Sequence, residues 1–275
     1  MKSFKTHINE RMIVPGVGKK YGQAILLAGG AGSGKSFAVS QFIDSSSYKV
    51  INPDDVLVMA TRIANQGKSF QDIKGLNLSK GKDLAKAYDK IVVKRKLTSK
   101  KMKTFLANQR PDMLPNIILD RTFSQKGQFK DITKKLRDVG YKPENIHVVW
   151  VLTDVNVALA QNIARGKKGE RALPNDILLL THSGAKANMR DLFFKRLKGA
   201  TVNGDWYVIF GGIKNTVFYS TPEGELPPKG VKMVIKDFKY LKIKNAGKAL
   251  EKAGNIARKV QAVFSDILKQ SKGKQ

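Results

Sequence analysis

The 275-residue sequence contains no cysteine, three histidines and six glutamates. The absence of cysteine excludes disulfides, Cys-ligated zinc sites, iron–sulfur clusters and thiol nucleophiles. His7, His147 and His182 are far apart along the chain, which argues against a metal site built from histidine. No apolar run reaches the roughly 18 residues of a membrane span, and the first residues lack the apolar core of a signal peptide. We therefore expect no membrane partner and a cytoplasmic location.

Acidic residues are also scarce, and the charge balance is strongly basic. The chain has 51 Lys and Arg against 22 Asp and Glu, a formal net charge of +29. A lysine-rich surface can follow from genomic base composition, but the same bias should raise the glutamate content, which is low here. Basic surfaces of this size bind polyanions through release of counterions. We expect a polyanionic partner, such as DNA or RNA.

Short apolar runs alternate with longer helical patterns through most of the chain. The runs that predict strands are Ala24–Ala28, Tyr48–Asn52, Asn116–Asp120, Ile146–Leu152 and Trp206–Phe210. The patterns that predict helices are Ser36–Asp44, Asp55–Asn65, Lys82–Asn108, Gln128–Val139, Val155–Arg165 and Asn175–Lys198. Strands separated by helices form parallel sheets with helices on both faces, so we predict an α/β three-layer sandwich with a mainly parallel sheet.

Composition also divides the chain into segments. Residues 1–20 are basic and contain helix-breaking proline and glycine, so we predict a lead-in there. Residues 21–221 form the predicted main domain, in which Thr216–Ser220 pairs with the fifth strand. Residues 221–230 are dense in turn formers, and 13 basic but only three acidic residues follow from Lys229 onward. We predict a basic C-terminal extension over 222–275, with a helix at Ala246–Lys269.

A glycine-rich segment fits the phosphate-binding pattern G-x-x-x-x-G-K-[ST] at every fixed position. It consists of Gly29, Gly30, Ala31, Gly32, Ser33, Gly34, Lys35 and Ser36. It follows a predicted buried strand and opens a predicted helix, so a glycine turn with a chance lysine explains it less well. Backbone N–H groups of such a loop surround phosphates, Lys35 lies near the β- and γ-phosphates, and the Ser36 hydroxyl can ligate Mg²⁺. The pattern predicts an ATP and Mg²⁺ site.

Two aspartates follow the second predicted strand. Ligands of parallel sheets bind at the carboxyl ends of the strands, so Asp54 and Asp55 should face the γ-phosphate. A carboxylate there can accept the proton of an attacking hydroxyl, and we assign that role to Asp54. For Asp55 two readings stay open, a helix cap and a substrate ligand.

Two further segments carry charged residues suited to phosphate chemistry. The third strand ends in Asp120, Arg121 and Thr122, where Asp120 can hold Mg²⁺ through water or all three can bind the acceptor. Residues 165–174 form a basic, glycine-containing loop with Arg165 and Arg171, which we interpret as a mobile lid over the phosphates. Guanidinium groups stabilise charge on the transferring phosphoryl group. A plain solvated basic loop is the alternative.

These four segments, in this order, resemble the zeta-toxin-type P-loop kinases and the related phage polynucleotide 5′-hydroxyl kinases. The resemblance covers residues 22–195. It implies a P-loop kinase fold with ATP as donor, the first aspartate of the Asp-Asp pair as general base, and lid arginines on the phosphates. Carried over, these are Asp54, Arg165 and Arg171, with Lys35 in the phosphate loop.

Some features depart from the resemblance. Those kinases carry an arginine three residues after the base, where this chain has Leu57, and Arg62 is the nearest substitute for binding substrate. The segment 80–110, with 11 Lys or Arg, and the basic C-terminal region exceed what the resemblance explains. The first ten residues, with Ile8-Asn9-Glu10, resemble head-targeting peptides of tailed phages, which are cut at such a site. A phage-encoded protein would act in the host cytoplasm or be packaged in the virion.

Three functions are compatible with these features. The first is a kinase that phosphorylates a hydroxyl of nucleic acid, at a 5′ end or on a modified base. The second is a zeta-toxin-like kinase of a nucleotide sugar or nucleotide. The third is a basic nucleic-acid-binding or packaged phage protein in which the loop only binds nucleotide. The net charge favours the first, since the phosphate-binding segments do not account for it.

Overall fold

A computed structural model describes most of the predicted main domain. The described residues are 21–43, 45–107, 113–195, 202–212, 237–244, 247, 248, 255 and 258. The predicted lead-in over 1–20, the predicted strand Thr216–Ser220 and nearly all of the predicted helix Ala246–Lys269 lie outside them.

Six strands form a single sheet in the described part of the chain. They are β1 (Ala24–Ala28), β2 (Tyr48–Ile51), β3 (Asn116–Asp120), β4 (Ile146–Leu152), β5 (Trp206–Gly212) and β6 (Asp237–Lys244). Their order across the sheet is β2-β3-β1-β4-β5-β6. The first five are parallel to their neighbours, and β6 runs antiparallel to β5 at the edge. The predicted five-stranded parallel sheet is therefore confirmed, and β6 extends it.

Seven α-helices are described. They are α1 (Lys35–Phe42), α2 (Pro53–Asn65), α3 (Gly81–Tyr88), α4 (Leu97–Ala107), α5 (Gln128–Val139), α6 (Val155–Lys167) and α7 (Asn175–Lys195). Short 3₁₀ turns occupy Gln71–Ile73 and Pro143–Asn145, and a π-helical segment covers Asp89–Lys94. No described helix has the length and apolar character needed to cross a bilayer.

The two faces of the sheet carry separate cores, because successive side chains of a strand point to opposite faces. Leu26 of β1 belongs to the larger core, which includes Leu136 of α5 and Met189 of α7. Leu27 belongs to the opposite core, which includes Ala38 of α1. All residues of β1 and β3 are buried, which explains why both strands read as continuous apolar runs. This confirms the predicted three-layer α/β sandwich.

The single helix predicted for Lys82–Asn108 is wrong. The chain forms α3, passes into the π-helical segment and turns before α4. Lys96 lies at the turn with φ 52°, in the left-handed region that non-glycine residues seldom adopt. The break falls within the run Lys94-Arg95-Lys96, which contains neither glycine nor proline to signal it.

Helices α2 and α3 belong to an insertion between β2 and β3 that has its own small core. Leu57, Ile73, Leu84 and Ile91 are fully or almost fully buried within it. Burial of about 25 cal/mol per Å² of apolar surface stabilises this unit as it does the main core. The insertion places the C-terminal end of α3 above the carboxyl edge of the sheet, where it forms one wall of a cavity.

Candidate active site

Loops that follow three neighbouring strands meet at the carboxyl edge of the sheet. The glycine-rich loop follows β1, Asn52–Asp55 follows β2, and Arg121–Thr122 follows β3, which lies between the other two strands. Residues from all three segments, together with parts of α3 and α6, line a cavity of about 880 Å³. Because the strands are parallel, their carboxyl ends necessarily share this edge, the usual place for a ligand in such sheets.

The glycine-rich loop has the backbone shape that the motif requires. Gly29 has φ 154°, and a Cβ there would lie 2.6 Å from the Ser33 hydroxyl oxygen and 2.7 Å from the Val151 carbonyl oxygen. Gly34 has φ 84° and precedes α1 without supplying a side-chain cap. The positive end of the α1 helix dipole, where an anion is stabilised, therefore has no side-chain cap from Gly34.

Helix α7 holds this loop from the side. The Ala31 N–H donates to the Thr181 hydroxyl at 3.2 Å, and His182 Nε2 donates to the Ala31 carbonyl oxygen at 2.6 Å. Burial lowers the pKa of His182, although the hydrogen bond to Ala31 acts in the opposite direction. A Cβ on Gly30 would lie only 2.4 Å from the His182 ring. The loop is thus packed against a helix that begins about 140 residues later in the chain.

The Lys35 ammonium group is held over the loop. Its Nζ donates to the carbonyl oxygens of Gly29 at 3.0 Å and Gly30 at 3.1 Å, and it lies 3.8 Å from Asp120 Oδ1. Its side chain is 13% exposed. A mostly buried ammonium group above a ring of backbone N–H groups is suited to binding phosphate oxygens.

Asp120 is a buried residue at the end of β3, the middle one of the three strands whose carboxyl ends border the cavity. Its Oδ2 accepts a hydrogen bond from Asn52 Nδ2 at 3.1 Å. Burial raises the pKa of Asp120, Lys35 opposes that rise, and the carboxylates of Asp54 and Asp55 add to it. An Asp with a raised pKa binds a cation strongly, because the cation removes the cost of its buried charge.

Asp54 occupies the first turn of α2. Asn52 caps this helix, since its Oδ1 accepts a hydrogen bond from the Asp54 N–H at 2.8 Å, and Pro53 occupies the first helical position. The interpretation of Asp55 as the cap is therefore wrong, because Asn52 already satisfies the helix end. The Asp54 carboxylate turns into the cavity, whereas the Asp55 side chain is exposed.

Arg171 forms an ion pair with Asp54 across the cavity. The guanidinium group donates directly to Asp54 Oδ1. Arg165 also lines the cavity, but it is 47% exposed and its Nε lies 3.9 Å from Glu170 Oε2. Both predicted lid arginines line the cavity, but of the two only Arg171 contacts the predicted base.

The predicted lid loop is shorter than the sequence indicated. Helix α6 continues through Lys167, so Arg165 lies in its last turn, and the loop covers residues 168–174. Gly166 is accommodated within the helix, where the sequence signal marked it as a breaker. Asn162 of α6 anchors the far end of the loop, because its side chain donates to the Leu173 carbonyl at 2.7 Å and accepts from the Leu173 N–H at 2.8 Å.

Arg121 and Thr122 leave β3 toward the cavity. Burial lowers the pKa of Arg121, and the Tyr88 phenol acts in the opposite direction. Burial also raises the pKa of Tyr88, and the Asp54 carboxylate raises it further. Thr122 Oγ1 lies 3.1 Å from the Ser124 hydroxyl oxygen, and both residues line the cavity. Tyr88 at the end of α3 thus stands among the predicted base and acceptor residues.

Arg62 does not join this group. It is exposed in the last turn of α2 and is not among the residues that line the cavity. Leu57 stands where the related kinases carry an arginine. It is fully buried in the core of the insertion, so this position serves packing. Asp55 likewise lies outside the cavity lining.

Sequence reasoning missed several residues at the site. An Asn-Pro pair before a helix is a recognised start signal, so Asn52 could have been identified as the cap. Tyr88, Thr181 and His182 gave no such signal, because each reaches the cavity or its loop only through packing of distant segments.

Comparisons with known proteins give one family and a set of similar structures. The family model described as Zeta toxin matches residues 16–203, more than half of the chain. No curated protein gives a significant match by sequence.

Comparison with solved structures finds similar chains at low sequence identity. A crystal structure of AvrRxo1-ORF1:AvrRxo1-ORF2 with sulphate ions is 10% identical, with a TM-score of 0.56, and the match covers 86% of this chain and 62% of that one. The native AvrRxo1-ORF1:-ORF2 complex is 11% identical, with a TM-score of 0.50 and coverage of 86% and 63%. A structure from the PezAT chromosomal toxin–antitoxin system of Streptococcus pneumoniae is 14% identical, with a TM-score of 0.45 and coverage of 74% and 71%. The chain thus spans less than two thirds of the first of these structures.

Proposed function

The chain belongs to the zeta toxin family, and on that premise we propose that it is an ATP-dependent kinase that phosphorylates a hydroxyl group. One observation carries the proposal: a phosphate-binding loop with its lysine faces an aspartate and an arginine across a single cavity. Phosphoryl transfer depends on positioning and charge neutralisation, and this arrangement supplies both.

The donor side is formed by the loop and α1. Phosphate oxygens accept hydrogen bonds from the loop N–H groups and from the first turn of α1. Lys35 then exchanges its hydrogen bonds to Gly29 and Gly30 for bonds to phosphate. Because the side chain is already held over the loop, it needs little reorganisation to bind the β- and γ-phosphates.

The residues present fit a Mg²⁺ ion bound together with ATP. Mg²⁺ prefers oxygen ligands and usually takes only one or two from the protein, with phosphates and water supplying the rest. Ser36 and Asp120 both line the cavity beside Lys35, and the raised pKa of Asp120 favours a cation partner. No cluster of three or more metal-binding side chains occurs among the described residues, which agrees with a nucleotide-dependent ion. Bound there, Mg²⁺ would neutralise phosphate charge.

Asp54 acts as the general base in this proposal. The acceptor hydroxyl gives its proton to the Asp54 carboxylate, its oxygen forms a bond to the γ-phosphorus, and the bond from that phosphorus to the β–γ bridging oxygen breaks. ADP leaves with the bonding electrons. Asp54 and Lys35 both line the cavity, so in this proposal the base and the phosphate-binding lysine act within one site.

The lid arginines stabilise the transferred group. Arg171 pairs with Asp54 in the structure, and its guanidinium group can turn to the γ-phosphate when ATP is bound. Arg165 lies in the last turn of α6, next to the loop, and in this proposal it also binds the transferred group. Positive charge on the equatorial oxygens lowers the barrier to transfer.

We propose nucleic acid as the acceptor, at a 5′-hydroxyl end or on a modified base. The formal charge of +29 supports this choice, because the four phosphate-handling segments account for a small part of it. An acceptor strand would use the remaining basic surface. Binding should then weaken steeply as the salt concentration rises.

A nucleotide or nucleotide sugar is the second candidate acceptor. The size of the cavity favours it, since about 880 Å³ lies within the range of sites that enclose small ligands. Here the basic surface would steer an anionic substrate to the site.

Transfer of label from γ-labelled ATP distinguishes these candidates. The acceptor panel contains 5′-hydroxyl oligonucleotides, nucleoside diphosphate sugars, nucleotides and nucleosides, and Lys35→Ala is the inactive control. We expect wild type to transfer label to the oligonucleotide and Lys35→Ala to transfer none. Labelling of the sugar nucleotides alone would support the second candidate. If the protein binds ATP but labels none of the panel, and nucleotide binding persists in Lys35→Ala, the kinase proposal is wrong.

A further inference from the structure

The guanidinium group of Arg121 is the unusual feature of the acceptor side. Its Nε is buried and makes no hydrogen bond, and no ion pair or other hydrogen bond of its side chain occurs among the described residues. Arg121 as a whole is partly buried, and removing an unpaired charge even partly from solvent costs folding free energy, so stability does not explain this arrangement. A binding role would explain it.

The other two arginines of the cavity already have carboxylate partners. Arg171 pairs with Asp54, and Arg165 lies 3.9 Å from Glu170. Arg121 differs from both because its side chain is more enclosed than that of Arg165 and has no carboxylate partner in the described chain. It therefore presents unsatisfied donors to a ligand, in the fork geometry that matches a phosphate.

Tyr88 and its neighbours provide an apolar wall beside this cation. Tyr88 is 41% exposed at the end of α3, and Val93 of the π-helical segment is 53% exposed. Both line the cavity together with Leu84. The π-helical segment directly follows Tyr88, and such segments often occur at functional sites because they shift side chains out of the regular helical row. An exposed ring at this position can stack on a nucleobase.

We propose that Arg121 and Tyr88 form the acceptor subsite, in which Arg121 binds a phosphate of the acceptor nucleotide and the Tyr88 ring stacks on its base. This assignment rests on the proposed kinase function and defines its substrate as a nucleoside phosphate that carries a free hydroxyl. The chemistry is common to a free nucleotide and to the end of a strand. Arg121 would thereby bind the acceptor in place of the arginine that the related kinases carry at position 57, where this chain has a buried leucine.

Direct binding measurements test the subsite without requiring turnover. The full chain is saturated with a non-hydrolysable ATP analogue and Mg²⁺, and three probes are titrated by calorimetry: nucleoside 3′-monophosphates with a free 5′-hydroxyl, a 5′-hydroxyl oligonucleotide and a nucleoside diphosphate sugar. We expect Arg121→Gln to weaken binding of the preferred probe by about tenfold or more, the loss of a charge-assisted hydrogen bond. Tyr88→Ala should weaken it by about tenfold, whereas Tyr88→Phe keeps the ring and should bind like wild type.

Matched controls separate this role from a structural one. Arg137→Gln makes the same chemical change on the exposed surface of α5, away from the cavity, and should leave binding unchanged. Affinity for the ATP analogue should be the same in Arg121→Gln and wild type. In thermal unfolding without ligand, Arg121→Gln should be at least as stable as wild type, because it removes an unpaired charge from a partly buried site. A residue with only a structural role would instead lose stability on substitution.

The preferred probe identifies the source of the phosphate. Tightest binding of the oligonucleotide points to a strand end, and tightest binding of a mononucleotide or sugar nucleotide points to a small acceptor. Equal affinity of Arg121→Gln and wild type for every probe, or no binding of any probe to wild type, overturns the subsite. Label transfer by wild type is measured in parallel. Arg121-dependent binding without any transfer would support the subsite while contradicting the kinase proposal.

Discussion

The Asp54 carboxylate accepts a hydrogen bond from the Arg171 guanidinium group, which joins two cavity-lining residues that are 117 positions apart in the chain. Asp54 is fixed at the start of α2 by the Asn52 cap, and Arg171 lies on a loop anchored at Leu173 by Asn162. The pair therefore links the proposed base to the predicted lid loop. Neither residue is fully exposed, so solvent screens this pair less than a surface ion pair.

The adjacent aspartates allow a matched test of the general base. Asp54→Asn should lower the rate of phosphoryl transfer about 10²- to 10⁴-fold, the usual contribution of a positioned base, while the affinity for ATP stays similar. Asp55→Asn makes the same change on an exposed side chain of the next residue and should keep most of the activity. Transfer rates at saturating ATP and acceptor measure both effects. Equal rates for the two variants would contradict the assignment of Asp54.

The two lid arginines should differ in importance. Arg171→Gln removes the guanidinium group that reaches Asp54, and transfer should fall about 10²-fold or more, as on loss of a group that stabilises transition-state charge. Arg165→Gln should have a smaller effect, because Arg165 is more exposed and faces Glu170. Single-turnover rates with bound ATP compare the two directly. A larger loss in Arg165→Gln would show that the lid closes through α6 and not through Arg171.

Much of the fold was predictable because its signals are local. The strand limits of β1, β3 and β4 match the apolar runs, since these strands are buried on both faces and turn residues bound them. The phosphate loop was predictable for the same reason: its glycines, lysine and serine are consecutive. The end of α5 at Gly140, which has φ 113°, is also a local signal.

The remaining parts of the site depend on contacts between distant segments. The position of Tyr88 follows from how the insertion packs on the main domain, and that packing leaves no periodic signal around Tyr88 itself. The contact of His182 with Ala31 joins residues 151 positions apart. The lack of a partner for Arg121 among the described residues is equally invisible in sequence, because an arginine at the end of a strand usually finds a carboxylate or water.

Asp120 should make the nucleotide-free protein less stable as its charge forms. Its folded-state pKa is raised above 3.8, first by burial, so stability is greatest below the unfolded pKa and falls as the pH rises through the folded pKa. Asp120→Asn removes this loss and should be more stable than wild type at neutral pH, although transfer activity should be abolished. Urea unfolding from pH 3 to 8 without nucleotide or divalent ions measures the difference between the two curves. If wild type were more stable than Asp120→Asn at neutral pH, the prediction that the Asp120 charge is destabilising would be wrong.

His147 should matter for stability and not for catalysis. It is fully buried near the start of β4, where its Nε2 donates to Gln23 Oε1 at 2.7 Å and its Nδ1 accepts from the Asp205 N–H at 2.9 Å. His147→Leu removes both hydrogen bonds and should cost about 2–4 kcal/mol of unfolding free energy. Urea denaturation gives this value, with Lys135→Ala on the surface of α5 as the control. Activity per folded molecule should be retained, since the network lies at the opposite edge of the sheet from the cavity.

The contact between Gly30 and His182 permits a test of coupling between α7 and the phosphate loop. Gly30→Ala should weaken ATP binding, because the added Cβ would lie 2.4 Å from the imidazole ring and must displace either the ring or the loop. His182→Ala loses the hydrogen bond to Ala31 and should have a smaller effect of about 1 kcal/mol. In the double variant the ring is absent, so the methyl group fits and part of the lost affinity should return. Calorimetric titration of ATP into the four proteins gives a coupling energy, expected to be about 0.5–3 kcal/mol. Strictly additive losses would show that Gly30 is required for its own backbone conformation and not for the approach of His182.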